Sequence, residues 1–421
     1  MRTITLNPKQ QRTAEILTRL EAGAVDVGTA AELLGVSERQ VRRLRARFRL
    51  EGLASSIHGN SGRTPSNRLE AALREQILAL AGIGGKYHDL NVCHLQELLV
   101  QEEQISIGRS TLDRLLKQAG LRQKAKNSPP LHRRRRQRRA AEGMLLQIDG
   151  SPFEWLEGRG PKAALIGAID DASGKVLFLH FRPTEDQIGY LLLLRTVAQN
   201  YGLPMSLYHD RHTILRSPKR PTPEEELAGQ APMSQIQRIM AELGIESIAA
   251  YSPQAKGRIE RLWGTLQDRL TKELRLTGAT SLDEANDFLP GFIARYNARF
   301  AKAPQDPHSA WVPMPADVDI NYYFAIRETR KVRSDHCISY GGQLLQLLPD
   351  PKHPSLVNQR VSVHSVPEGA MYLYHGKHLL PWRRVTPSEV APLPAPDSPL
   401  PPKAVDAKKA GRRRGWLYAQ R

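Results

Sequence analysis

Cysteine is nearly missing from this chain: Cys93 and Cys337 are the only two in 421 residues. That excludes a disulfide scaffold and any cysteine-rich zinc module, and it fits a reducing cytoplasm. Long apolar runs are missing too. Stretches such as residues 191–194 (LLLL) are far too short to span a bilayer. The opening MRTITLNPKQ has no apolar segment, so no secretory signal is expected. Secreted, membrane and fibrous classes fall away, and a cytoplasmic protein is expected. What is present, 40% hydrophobic and 25% charged residues, is the balance of a globular protein long enough for about three domains.

Negative charge is scarce at the two ends. Lys and Arg total 61 against 43 Asp and Glu, a net charge of +18. Residues 1–140 carry 26 basic and 13 acidic side chains, and residues 403–421 carry 7 and 1. The stretch between them, with 28 and 29, is nearly neutral. Basic ends around a neutral centre suggest arms that hold a polyanion while the centre does something else. A solvated charge run is the plainer alternative.

Residues 28–52, GTAAELLGVSERQVRRLRARFRLEG, read as helix, glycine turn and helix. Ala30, Ala31 and Leu34 suit the inner face of the first helix, and Ser37 can cap the second. Val41, Leu44 and Phe48 recur at helical spacing and face inward. Arg39, Gln40, Arg43 and Arg47 lie opposite. This is the arrangement of a helix-turn-helix, whose second helix enters the major groove. A basic surface helix in a bundle is the competing reading.

The expected domains follow in order. Residues 1–57 form the helix-turn-helix and 58–67 (HGNSGRTPSN) a linker. Residues 68–121 form a second helical module whose last helix, over about 109–118, buries Leu112, Leu115 and Leu116. It offers Arg109, Ser110, Thr111 and Arg114 as DNA contacts. A basic linker covers 122–141, with nine Lys and Arg and no acid between Arg122 and Arg139.

From residue 142 the texture turns to strands. Residues 144–149 (MLLQID) end on a carboxylate, 163–171 and 175–182 are apolar strands, and 186–200 is an amphipathic helix. Residues 205–210 form a fourth strand ending on Asp210. A helix from Ser234 and a short strand at 247–249 precede SPQAKGRIERLWGTLQDRL, where Glu260 lies near the start of a long helix. A mixed α/β sheet with acids at strand ends suits two divalent metals, with Asp149 bridging and Asp210 and Glu260 each completing one. Taken singly, Asp149 reads as a turn residue, Asp210 as a salt-bridge partner and Glu260 as a surface pair with Arg261. Only their ordered combination points to a site.

The run from Asp149 through YHDRHTI to SPQAKGRIER resembles the DDE transposase and retroviral-integrase superfamily. Together with GVSERQVRRL, QIDGSPFEWLEGRGP, IDDASGK and YNARF, the layout from about residue 8 to 385 is similar to bacterial insertion-sequence transposases, the ISNCY group among them. The resemblance implies a ribonuclease-H-like core with Asp149, Asp210 and Glu260 as the metal-binding triad. It further implies two Mg²⁺ per site, with Mn²⁺ as a substitute. Cleavage of 3′ ends and strand transfer into target DNA follow, with the helical modules on terminal inverted repeats. A homo-oligomer on DNA, associated with the bacterial nucleoid, is expected.

Lys256 and Arg258 are candidates for gripping phosphates beside the reacting ends. Forty-nine residues separate Asp210 from Glu260, longer than the usual superfamily interval, and the loop at 216–232 accounts for the excess. Asp170 and Asp171, a rival metal pair, read as a hairpin turn over 170–174.

The core is expected over 142–303 and includes a helix over 282–300. Short strands with turns at Gly341-Gly342 and Pro367-Glu368-Gly369 predict a small β-barrel over 320–385. Residues 386–421 form a Pro-rich spacer and basic tail. The expected fold is multidomain α/β: N-terminal helix-turn-helix modules, a ribonuclease-H-like mixed α/β catalytic core and a C-terminal small β-barrel. Two rivals remain. A helix-turn-helix transcriptional regulator explains the first 140 residues but not the acids. A ribonuclease-H-fold nuclease without strand transfer explains the acids but not the tandem modules.

Overall fold

The computed structural model describes residues 6–57, 68–122, 136–217, 221–227, 232–250, 257–315 and 318–389. The 58–67 linker, most of the basic linker, Lys256 and the C-terminal tail lie outside these described residues. The chain forms two compact units, residues 1–80 and 81–421.

The first unit is built on α1 (Pro8–Glu21), α2 (Val27–Leu34) and α3 (Glu38–Glu51). Each begins at a side chain that accepts an otherwise unbonded backbone N–H: Asn7 from Gln10, Asp26 from Thr29 and Ser37 from Gln40. Gly35, at φ +64°, ends α2 in the left-handed conformation that glycine tolerates best. Ile16, Leu17, Leu20, Ala30, Ala31 and Val41 form the core, with Leu34, Leu44 and Phe48 packed against it. The inward face is the one the periodicity predicts. α4 (Ala71–Ala81) follows.

The second unit begins with α5 (Val92–Gln101) and α6 (Arg109–Gln118), the latter within its expected bounds. A five-stranded sheet follows, with β1 (Leu146–Phe153), β2 (Ala163–Asp170), β3 (Val176–Arg182), β4 (Ser206–His209) and β5 (Glu246–Ala249) in the order β3-β2-β1-β4-β5. The first three strands are an antiparallel meander, and β4 and β5 run parallel to β1. The sheet is therefore the mixed one expected.

Strand side chains alternate between faces, and the two faces gather different helices. Leu146, Ile148, Ile166 and Ala168 pack with α7 (Gln187–Asn200) and α9 (Gln235–Glu242). Leu165, Ile169, Val176 and Leu179 pack with α10 (Ile259–Thr277) and α11 (Leu282–Phe300). The short helix α8 (Pro223–Leu227) lies between β4 and α9. One strand end differs from expectation: β1 runs on to Phe153, so Asp149 stands inside the strand and not at its end.

After α12 (Ile320–Tyr323) come β6 (Ile326–Lys331), β7 (Cys337–Tyr340), β8 (Gln343–Leu347), β9 (Arg360–Ser365), β10 (Met371–His375), β11 (His378–Leu380) and β12 (Trp382–Val385). The expected barrel is not there. Among the described residues these strands make two antiparallel sheets, β11-β10-β9-β6 and β12-β8-β7, without a closed circuit. They share a core that includes Ile338, Leu345, Val363 and Leu373. Pro381 stands between β11 and β12, where the chain leaves one sheet for the other, and its carbonyl accepts the Leu348 N–H at 2.9 Å. Among the described residues no helix is long and apolar enough to cross a membrane.

Candidate active site

Asp149 is the fourth residue of β1 and stands opposite Gly167 in β2. On the other side β4 runs parallel, with Gln147 beside Tyr208. Two residues further along each chain stand Asp149 and Asp210. The paired register ends at Gln147 and Tyr208, and Asp210 follows the last residue of β4. Asp210 has already turned out of the strand, and its Oδ1 accepts the His212 N–H at 2.9 Å. Beneath it the buried His209 is fixed at both ring nitrogens, to the Asp210 carbonyl at 2.5 Å and to Ser247 Oγ at 2.9 Å.

Both acids act on one phenol. Tyr190 of α7 is fully buried, and burial pushes its hydroxyl far above the ordinary range; Glu185, Asp149 and Asp210 add to the effect. The hydroxyl donates to Glu185 Oε1 at 2.5 Å. Glu185 in turn lies against Gly150, where a Cβ would come within 2.6 Å of its Cδ. A glycine next to Asp149 thus lets a further carboxylate lie on the backbone beside it. The sequence reading missed Glu185. Its position before Asp186, which caps α7 through the Gly189 N–H at 2.8 Å, made it look like part of a helix start.

The third predicted acid arrives on α10. Glu260 is the second residue of that helix and is exposed. The helix start is anchored by Asp171, which is fully buried and accepts Arg258 Nη1 at 2.7 Å, Gln147 Nε2 at 2.7 Å and the Arg139 N–H at 2.9 Å; Arg136 also pairs with it. Of the two residues expected at phosphates, Arg258 is the one described: its guanidinium is held by the buried Asp171 carboxylate and ties α10 to the sheet. Asp170, held up in pKa by burial, accepts from Ser173 and Gly143 and closes the turn expected at that place.

Asp149 thus stands in β1, Asp210 just past the end of the neighbouring strand β4, and Glu260 on the helix α10 that packs along β1. Among the described residues no group of three His, Cys, Asp or Glu stands close enough to hold a metal as it is. The donor chemistry nevertheless fits a hard divalent ion, because the two neighbouring acids and the third on α10 offer only carboxylate oxygens.

The expected DNA-contact residues fall on two outer faces. Arg39 and Arg43 of α3 are exposed, Gln40 is half-buried, and Arg47 pairs with Glu51 at 2.9 Å. Arg109, Ser110, Thr111 and Arg114 are all exposed on α6. The module carrying α6 is not a free arm. Glu97 of α5 accepts both Arg269 nitrogens, at 2.7 and 2.8 Å, and Arg299 at 2.7 Å. Asp89 takes Lys272 at 3.1 Å and Arg275 at 2.6 Å. The helix that bears Glu260 therefore also carries this module.

Comparison with known proteins gives three kinds of likeness. Residues 14–75 match the family described as winged helix-turn helix. The y4bF protein of Sinorhizobium fredii, which carries a transposase name, is 34% identical over 91% of this chain and 82% of its own length. The transposase for insertion sequence IS1202 of Streptococcus pneumoniae is 28% identical over 82% of this chain and 81% of its own. Among solved structures, the catalytic core of bovine immunodeficiency virus (BIV) integrase aligns at TM-score 0.28 and 19% identity, covering 39% of this chain and 91% of that one. The simian T-cell lymphotropic virus intasome with B56 gamma aligns at TM-score 0.32 and 17% identity, covering 69% and 95%.

Proposed function

This chain belongs to the transposase family of those two bacterial relatives, and from that premise we propose that it cuts and joins DNA at the ends of an insertion sequence. The observation that supports the proposal is that Asp149 stands inside β1, Asp210 directly follows the neighbouring parallel strand β4, and the helix of Glu260 is laid along β1. A DNA-binding regulator has no use for that convergence.

In this reading Asp149, Asp210 and Glu260 would together hold two Mg²⁺, with Asp149 shared between them and Mn²⁺ able to substitute. Such ions lower the pKa of an attacking water and offset charge on the leaving oxygen. The chain's own part is to hold three carboxylates in place and to bring the scissile phosphate to them. Water attacks the phosphodiester at the element's end and frees a 3′-hydroxyl, leaving the phosphate on the flanking strand; that hydroxyl then attacks a target phosphodiester in line and displaces the target's own 3′-oxygen. No covalent protein–DNA intermediate is needed, and no Ser or Tyr nucleophile is assigned. Arg39, Gln40, Arg43 and Arg47 on α3, and Arg109, Ser110, Thr111 and Arg114 on α6, contact the terminal inverted repeats. Lys256 and Arg258 are assigned to the phosphates near the reacting end. Two ends must be cut and joined together, so the working form on DNA is an oligomer.

Release and joining of labelled repeat ends tests the proposal. Asp149→Asn, Asp210→Asn and Glu260→Gln keep shape and remove charge, so each should lower both steps by at least about two orders of magnitude while end binding survives. Wild-type rates from Glu260→Gln would return its helix to a structural role. Cleavage without joining would favour the nuclease, and binding without either step the regulator.

A further inference from the structure

Three contacts run along the seam between β1 and α10. The Ile259 N–H donates to Gln147 Oε1 at 3.3 Å, Trp263 Nε1 donates to Asp149 Oδ2 at 3.1 Å, and Gln267 Nε2 donates to Ser151 Oγ at 3.3 Å. The strand residues are two apart and the helix residues four apart. Four residues of helix rise about 6.0 Å and two residues of strand about 6.6 Å. The two repeats match, so strand and helix run side by side in one register.

The middle contact is the most constrained. Trp263 is only 7% exposed. Its six-membered ring lies over Gly167, the residue paired with Asp149 across β1 and β2, and a Cβ on Gly167 would come within 2.8 Å of the ring. Any larger residue there crowds the indole on one side and Leu179, whose Cδ2 would lie at 2.9 Å, on the other. Glu260 lies three residues before Trp263, and residues at that spacing are neighbours on a helix surface. One side chain therefore links the orientation of Asp149 to the position of Glu260.

We propose that Trp263 is a positioning residue of the acidic centre: its N–H holds one oxygen of Asp149, and its ring, seated on Gly167, fixes where the Glu260 turn lies along β1. The inference rests on the catalytic reading of the acids. Partners of this kind, which touch a metal-binding carboxylate without touching the metal, typically change metal affinity or activity by about 10–100-fold when altered.

The test uses the full-length chain with a repeat-end duplex. Trp263→Phe keeps a ring over Gly167 and removes the donor. Mn²⁺ uptake is followed by electron paramagnetic resonance without turnover, and cleavage is followed separately against Mg²⁺. The half-saturating Mn²⁺ should rise about ten-fold and kcat should fall by 10-fold or more, with KM for DNA within about two-fold of wild type. Gly167→Ala, which leaves the indole intact but crowds it, should move both readouts the same way. It decides the matter if Trp263→Phe does not fold. Unchanged Mn²⁺ uptake and kcat in a folded variant, or a lowered melting temperature alone, would overturn the proposal. A wild-type chain that neither takes up Mn²⁺ nor cleaves would instead bring down the reading of the acids beneath it.

Discussion

The hydroxyl of Tyr190 stays protonated at any working pH, because burial and the nearby carboxylates push its ionisation far up. It is a permanent donor to Glu185, whose carboxylate lies half-buried against Gly150. A hydrogen bond to a charged acceptor that is lost on substitution leaves a desolvated group behind, at a cost of about 1–3 kcal/mol. Tyr190→Phe should therefore destabilise the fold by that amount in urea titration, and less in a Glu185→Gln background, where no charge is stranded. Equal losses in both backgrounds would show that packing, and not the hydrogen bond, is what the phenol supplies. At this scale type and order in the sequence single out Asp149, Asp210 and Glu260 as candidates. Glu185 and Trp263 carry no such mark, since each matters only through a glycine that sits beside it in space, Gly150 and Gly167.

Elements were legible wherever periodicity and capping agreed. Ser37, Ser234 and Ser281 each begin the helix expected after them, because a hydroxyl accepting an early N–H is a local event that a short stretch of sequence contains. Pairing between strands far apart in the chain is not local, and there the expectation of a closed barrel met two separate sheets among the described residues. The docking of α5 was equally hidden, as Glu97 and Arg269 lie far apart in sequence. That pair is bidentate, and Arg269 is 7% exposed. Removing one partner of a buried ion pair costs about 3–5 kcal/mol because a charge is left uncompensated. Glu97→Gln retains one acceptor oxygen, so a loss near the lower end, about 3 kcal/mol, is expected in chemical denaturation of the full chain. A loss below about 1 kcal/mol would mean that Glu273, which also acts on Arg269, compensates for the missing charge.

For the whole molecule the governing quantity is the distribution of its +18 charge. A near-neutral centre between basic ends suits a division in which the ends supply affinity and the acids supply chemistry. Each phosphate contact releases condensed counterions, so the logarithm of the binding constant falls with the logarithm of salt at a slope near −0.9 per contact on duplex DNA. Arg39 and Arg43 are exposed and have no ion pair among the described residues, whereas Arg47 is engaged by Glu51. The double variant Arg39→Ala, Arg43→Ala should therefore reduce the steepness of the salt dependence by about 2 if both residues lie on phosphates. If Arg43 reaches a base edge instead, the slope changes by only about 1 and the preference for repeat over random duplex falls by roughly 1–3 kcal/mol. Arg47→Ala should change both less, since its charge is already partly offset. Titration of full-length protein with repeat and random duplexes across a range of salt separates these cases. A double variant that shifts neither slope nor preference would move the recognition face off α3, leaving α6, held on the helix of Glu260, as the element that reads the end.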